Sequence, residues 1–156
     1  MSPPTPDREV FLSDVGATEE LGTGLAGEVT GGTLILLEGP LGAGKTCVVR
    51  GLVRALGGDP AEVCSPTFIL LEGYRVHAPG IRIVHHADLY RLRGLATAPW
   101  EEVGLGECLD DVTAVTAVEW PAGWEWQSRT NGPVIRIILT PWGAGRNAQV
   151  FFTAAG

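Results

Sequence analysis

The sequence predicts an α/β fold: a mixed, mostly parallel central sheet flanked by helices, with a β-hairpin and a C-terminal antiparallel strand pair. Three observations carry this. The apolar run TLILLE (33–38) leads into a glycine-rich loop and then a helix-like stretch, the strand–loop–helix order of α/β domains. A second run, VTAVTAVEW (112–120), is β-branched and lacks polar alternation, as strands covered on both faces do. Two pairs of strand-like segments, 66–76 with 81–90 and 134–140 with 148–153, are separated by short turns and read as antiparallel pairs.

In chain order, the Pro-rich, polar residues 1–9 are expected to form a flexible tail, and residues 10–156 a single domain. VFLS (10–13) suggests a short strand. Leu21, Leu25, Ala26 and Val29 fall at helical spacing and predict a helix over 17–29, capped by Asp14 or Thr18, with Glu19 and Glu20 in its first turn. Gly22 and Gly24 speak against that helix. A second helix is expected over 45–56, closed by GGDP, and a third over 99–109, with Glu101 and Glu102 near its start.

Composition narrows the function. The 156 residues are 45% hydrophobic and 19% charged, which is globular. A net charge of −7 argues against gripping nucleic acid through phosphate contacts alone. Three cysteines, Cys47, Cys64 and Cys108, include no C-x-x-C pair, so neither a zinc site nor a disulfide framework is expected. No signal peptide and no apolar run approaching ~20 residues is visible, so a cytoplasmic protein with no membrane contact is expected.

The loop GPLGAGKTC (39–47) fills the pattern G-x-x-x-x-G-K-[ST] with Gly39, Gly44, Lys45 and Thr46. Glycines let successive backbone N–H groups point at phosphate oxygens, and the following helix adds its positive end. Leu41, Gly42, Ala43, Gly44, Lys45, Thr46 and Cys47 are therefore the expected nucleotide-binding stretch. Lys45 would neutralise the β and γ phosphates and the Thr46 hydroxyl would ligate Mg²⁺. This makes the fold P-loop NTPase-like, with a nucleoside triphosphate bound at the loop and Mg²⁺ as its cofactor.

Carboxylates at the ends of neighbouring strands complete such a site. Glu119 ends the second buried run and is read as the metal-side acid. Asp88 ends IRIVHHAD and is read as orienting either the attacking water or the metal's water shell. His85 and His86 are adjacent on a strand and point to opposite faces, so hydrogen-bonding or packing roles fit better than chelation. Trp120 either lines the nucleotide site or packs.

Four segments stand in order: GPLGAGKTC, SPTF (65–68), HADLYRL (86–92) and VEWP (118–121). This set resembles the TsaE (YjeE) family, bacterial P-loop ATPases needed for threonylcarbamoyladenosine in tRNA, over about residues 11–152. The resemblance implies that Thr67, in SPTF, belongs to a switch-like segment near the γ-phosphate. It implies that Asp88 and Glu119 are the functional acids, with Glu119 and Thr46 on Mg²⁺. It further implies that Arg146 lies near the nucleotide and Thr18 near the base. The implied role is ATP hydrolysis, slow alone and partner-stimulated, supporting multiple turnover by a TsaD–TsaB complex. The tRNA would be met only through that complex, and DNA not at all.

Two positions depart from the family pattern. Pro40 replaces an aspartate and has no N–H to offer a phosphate. Cys47 replaces a hydroxyl residue and is a poorer hydrogen-bond partner. Competing readings are a small-molecule kinase, for which the chain has no long insertion to build an acceptor site, and a GTPase-type switch, for which N-K-x-D is missing. A third is a scaffold that holds nucleotide without turnover.

Overall fold

A computed structural model of the protein describes residues 2–66, 70–96 and 102–156. The elements are β1 (Arg8–Leu12), α1 (Val15–Leu25), β2 (Leu34–Glu38), α2 (Lys45–Ala55), β3 (Leu71–Ala78), β4 (Ile81–Asp88), α3 (Leu105–Asp110), β5 (Ala114–Glu119), β6 (Val134–Trp142) and β7 (Gly145–Thr153). The seven strands form one sheet in the order β1-β7-β6-β2-β5-β4-β3. Its centre is parallel: β2 pairs β5 and β6, and β4 pairs β5. The flanks are antiparallel, β3 on β4 at one side and β6–β7–β1 at the other. This is the mixed sheet expected, with both strand pairs in place.

The two unalternated runs are the two central strands. Every residue of β5 is buried, as are Leu34 to Leu37 of β2. Helices α1 and α2 cover one face, over a core that includes Leu25, Ile35, Leu52, Val53 and Ile137. On the other, α3 and the segment around Trp126 close over Leu34, Leu36 and Val118. Trp126 satisfies its buried indole N–H on the Pro121 carbonyl at 2.7 Å.

Several boundaries differ from the sequence expectation, each for a local reason. β1 begins at Arg8, because Arg8 and Glu9 pair with Val150 and Gln149; strand pairing thus takes up the last two residues of the segment expected to be a tail. α1 begins at Val15 and ends at Leu25, earlier at both ends than the predicted 17–29. Its cap is Asp14, whose Oδ1 accepts from the Ala17 N–H at 2.8 Å. Glu19 therefore lies beyond the first turn, where it pairs with Arg54 and Arg50 of α2. Gly22 does not break the helix; it lets two helices touch. A Cβ at Gly22 would stand 2.0 Å from the Val48 carbonyl oxygen, and one at Gly51 would stand 1.9 Å from that of Glu19. α2 ends at Ala55, one residue short of expectation. α3 covers only 105–110, starting after Gly104 in the left-handed region; Glu102 precedes it, and the part of the predicted helix over 99–101 lies outside the described residues. The strand expected from Pro66 is described from Leu71. The C-terminal pair is longer than expected, with Pro141 opposite Arg146 and Trp142 opposite Gly145. Among the described residues no helix is long and apolar enough to cross a membrane.

Candidate functional site

The carboxyl ends of β2, β4 and β5 converge on one end of the sheet, and the glycine loop follows β2 there. Three glycines take positive φ: 151° at Gly39, 78° at Gly42 and 104° at Gly44. Gly44 also opens α2, and a side chain there would collide with Arg146 Nη1 at 2.9 Å and Thr18 Cγ2 at 3.0 Å. A cavity of about 310 Å³ lies over the loop. Leu41 through Cys47 line it, together with Asp88, Glu119 and Arg146, so ten of the predicted site residues meet in one place, with Leu41 itself largely exposed.

Lys45 is 4% exposed and folded into the loop. Its ammonium donates to the carbonyls of Gly39 at 2.7 Å and Pro40 at 2.9 Å, and lies 4.4 Å from the centre of the Trp120 ring. Burial holds its pKa below the ordinary lysine value, against the opposing pull of the Glu119 and Asp88 carboxylates. Trp120 reaches this position with φ at 61°, unusual for a large side chain, and its ring also meets Tyr90 edge-on at 4.9 Å between centroids. Arg93 stacks 3.6 Å above the Tyr90 ring and stands 5.5 Å from the centre of the Trp120 ring. Trp120 thus lines the site and is not simply packed in the core.

Asp88 and Glu119 are partners in the β4–β5 register, and each is 3% exposed. The Thr46 hydroxyl donates to Glu119 Oε2 at 2.8 Å, and His86 Nε2 bonds the same oxygen at 2.6 Å. His86 Nδ1 is 2.9 Å from the Tyr74 phenol, which donates to the Cys64 carbonyl at 3.3 Å. Burial pushes the Tyr74 phenol up to about 12, so it keeps its hydrogen at neutral pH. Asp88 accepts from the Ser65 hydroxyl at 3.1 Å on one oxygen and from the Tyr90 N–H at 2.9 Å on the other. His85 faces the opposite side of the strand, as the alternation predicts, with Asp111 3.9 Å away; burial lowers its pKa despite that carboxylate.

The donor set fits a nucleotide-bound Mg²⁺. With its hydrogen committed to Glu119, the Thr46 oxygen keeps lone pairs for a cation, and Glu119 Oε1 takes neither of the two bonds. One hydroxyl and one carboxylate leave the other coordination positions to phosphate and water, as Mg²⁺ prefers. No group of three or more His, Cys, Asp or Glu able to hold a metal by themselves occurs among the described residues. Other hollows, about 320 Å³ beside Trp124 and Arg136 and about 560 Å³ at the β3–β4 turn, lack this pairing of glycine loop and acids.

One predicted residue stands behind the cavity lining. Thr18 is fully buried behind Gly44, its hydroxyl turned back to the Asp14 carbonyl at 3.1 Å, and the cavity residue contributed by α1 is the exposed Val15. Thr67 lies outside the described residues. Ser65, Tyr90 and Val15 were not singled out from sequence; HADLYRL contained Tyr90, and SPTF contained Ser65, but only the fold shows that both bond Asp88.

The chain resembles known proteins over most of its length. A family model described as "Threonylcarbamoyl adenosine biosynthesis protein TsaE" matches residues 12–142. A Synechocystis protein named tRNA threonylcarbamoyladenosine biosynthesis protein TsaE is 45% identical over 115 residues, covering 72% of this chain and 69% of the relative. A Nostoc protein of the same name is 35% identical over 137 residues, covering 85% and 77%. One from Mycobacterium tuberculosis strain H37Rv is 35% identical over 116 residues, covering 72% and 67%. The crystal structure of Bacillus subtilis YdiB superposes with a TM-score of 0.66 at 20% identity, covering 99% of this chain and 90% of that one, a likeness of fold.

Proposed function

Because the chain belongs to the TsaE family of threonylcarbamoyladenosine biosynthesis proteins, we propose that it binds and hydrolyses Mg²⁺-ATP in the cavity over its glycine loop, in support of tRNA modification. The observation that carries this is the Thr46–Glu119 hydrogen bond, which joins the first turn of α2 to the end of β5 beside that loop.

In this reading the loop N–H groups from Leu41 to Cys47 and the α2 N-terminus cradle the phosphates. Lys45 neutralises charge at the β and γ positions, and Arg146 stands beside Gly44 at the same cavity. Thr46 and Glu119 would hold Mg²⁺, which supplies charge neutralisation at the phosphates when bound. Asp88, fixed at both oxygens, orients the water whose oxygen attacks the γ-phosphorus as the bond to ADP breaks. Thr67 follows the Ser65 tether and belongs to the segment that senses the γ-phosphate. The chain acts in the cytoplasm on a TsaD–TsaB complex, whose repeated turnover its ATP cycle sustains; a protein partner suits its net charge of −7 better than direct contact with tRNA.

The direct test is Lys45→Ala, which removes the chain's only lysine. Calorimetry on the folded variant is expected to show ATP binding weakened at least about tenfold, on the scale of one charge-assisted contact. Unchanged affinity means the loop is not the site. In the same preparation, transfer of phosphate to nucleosides or sugars in place of water would favour a kinase.

A further inference from the structure

Four hydrogen bonds run beneath the cavity in a line that nucleotide binding does not require: Thr46 to Glu119, Glu119 to His86, His86 to Tyr74, and Tyr74 to the Cys64 carbonyl. His86 is 0% and Tyr74 2% exposed, so neither is available to touch a nucleotide. The line follows from sheet register. Tyr74 faces Val84 on the neighbouring strand, two residues from His86; His86 faces Ala117, two residues from Glu119. Each step crosses one strand and advances two residues, the diagonal contact of a pleated sheet. Burying a phenol and an imidazole beside Val76 and Val84 carries a desolvation cost that an aliphatic pair would avoid.

We propose that Tyr74 and His86 are positioning residues that orient Glu119 and link it mechanically to the segment Cys64–Pro66. The inference rests on reading Glu119 as the Mg²⁺-side acid. Consecutive residues of that segment are tied to the two acids by separate routes: Ser65 to Asp88 directly, and Cys64 to Glu119 through the buried pair. Fixing the Glu119 carboxylate therefore fixes the phenol that holds the Cys64 backbone. Close-packed interiors pass such constraints on without absorbing them.

Cys64 is itself the probe, because its thiol is exposed whereas Cys108 is buried. The full chain is saturated with a non-hydrolysable ATP analogue, with Mg²⁺ or with EDTA, and the rate of Cys64 alkylation by iodoacetamide is read by peptide mass spectrometry. Mg²⁺ is expected to slow Cys64 labelling at least about threefold in the unaltered chain, the scale of one net hydrogen bond. In Tyr74→Phe that metal-dependent difference is expected to vanish while metal-free analogue affinity, measured by calorimetry, is retained. His86→Gln, which keeps a donor near Glu119 but loses the reach to Tyr74, is expected to behave in the same way. The proposal is overturned if the unaltered chain shows no Mg²⁺ effect at saturation, or if the effect survives in both variants. Absence of any binding heat would instead overturn the nucleotide-site reading itself, and the inference with it.

Discussion

Asp88 and Glu119 stand opposite each other at the ends of adjacent parallel strands, and each carboxylate is already committed to protein donors from different elements. Asp88 is fixed through both oxygens, whereas both bonds to Glu119 fall on Oε2. The proposed function draws on that asymmetry to separate the tasks of two acids of equal burial.

Glu119→Gln retains the shape and removes the charge. If Glu119 serves the cation, the gain in ATP affinity that Mg²⁺ confers should shrink about tenfold, while metal-free ADP binding stays within about threefold. Calorimetric titration of nucleotide with and without EDTA separates the two. Equal loss in both conditions identifies a structural carboxylate.

Asp88→Asn should leave ATP affinity within about threefold, since an acid that orients water contributes mainly in the transition state. Hydrolysis stimulated by the TsaD–TsaB pair, and multi-turnover tRNA modification, should each fall roughly a hundredfold. Reconstitution with tRNA and threonylcarbamoyl-adenylate measures both; normal turnover removes Asp88 from the mechanism.

Alkaline stability reports on Tyr74. Its folded-state pKa is raised to about 12 by burial, above the ordinary phenol value of 10.0. The folded chain then holds a proton that the unfolded chain loses, so this contribution is complete below pH ~10 and declines as pH rises towards about 12. Denaturant midpoints across this window should fall more steeply for the unaltered chain than for Tyr74→Phe. Parallel curves would mean that the phenol titrates as it does in water.

The α1–α2 contact predicts opposite outcomes at two glycines. Gly51→Ala drives a methyl into the Glu19 carbonyl and should lower stability by about 3 kcal/mol. Gly24→Ala meets nothing within 4 Å and should raise it by up to about 1 kcal/mol, through helix propensity. Urea unfolding of the two variants provides the measurement.

Much of this was legible in the sequence because the signals were local. TLILLE and VTAVTAVEW announced covered strands by lacking alternation, and the glycine loop marked the end of the sheet where the cavity lies by following one of them. Glu119 and Asp88 were found by position at strand ends. What escaped depended on register and on helix phase. Alternation showed that His85 and His86 face opposite ways, but nothing within β4 alone says that His86 meets Glu119 on one neighbour and Tyr74 on the other. A cap at Asp14 and not Thr18 starts α1 at Val15, and this phase buries Thr18 and brings Val15 to the cavity. The left-handed backbone at Trp120 has no sequence signature, since it is an indole and not a glycine that occupies it.

The solitary lysine gives this chain an unusual chemical address. Ten arginines supply every other permanent side-chain cation, so the only ε-amine in the polypeptide is the one inside the glycine loop. Burial lowers the pKa of that amine, and the loop holds it at the wall of the cavity. An acyl-phosphate derivative of ATP that docks there would pass its acyl group to a single ε-amine, forming one amide as the nucleotide phosphate departs. The mass increment would count occupied sites, and loss of the only cleavage point for a lysine-specific protease would report the same event on a gel.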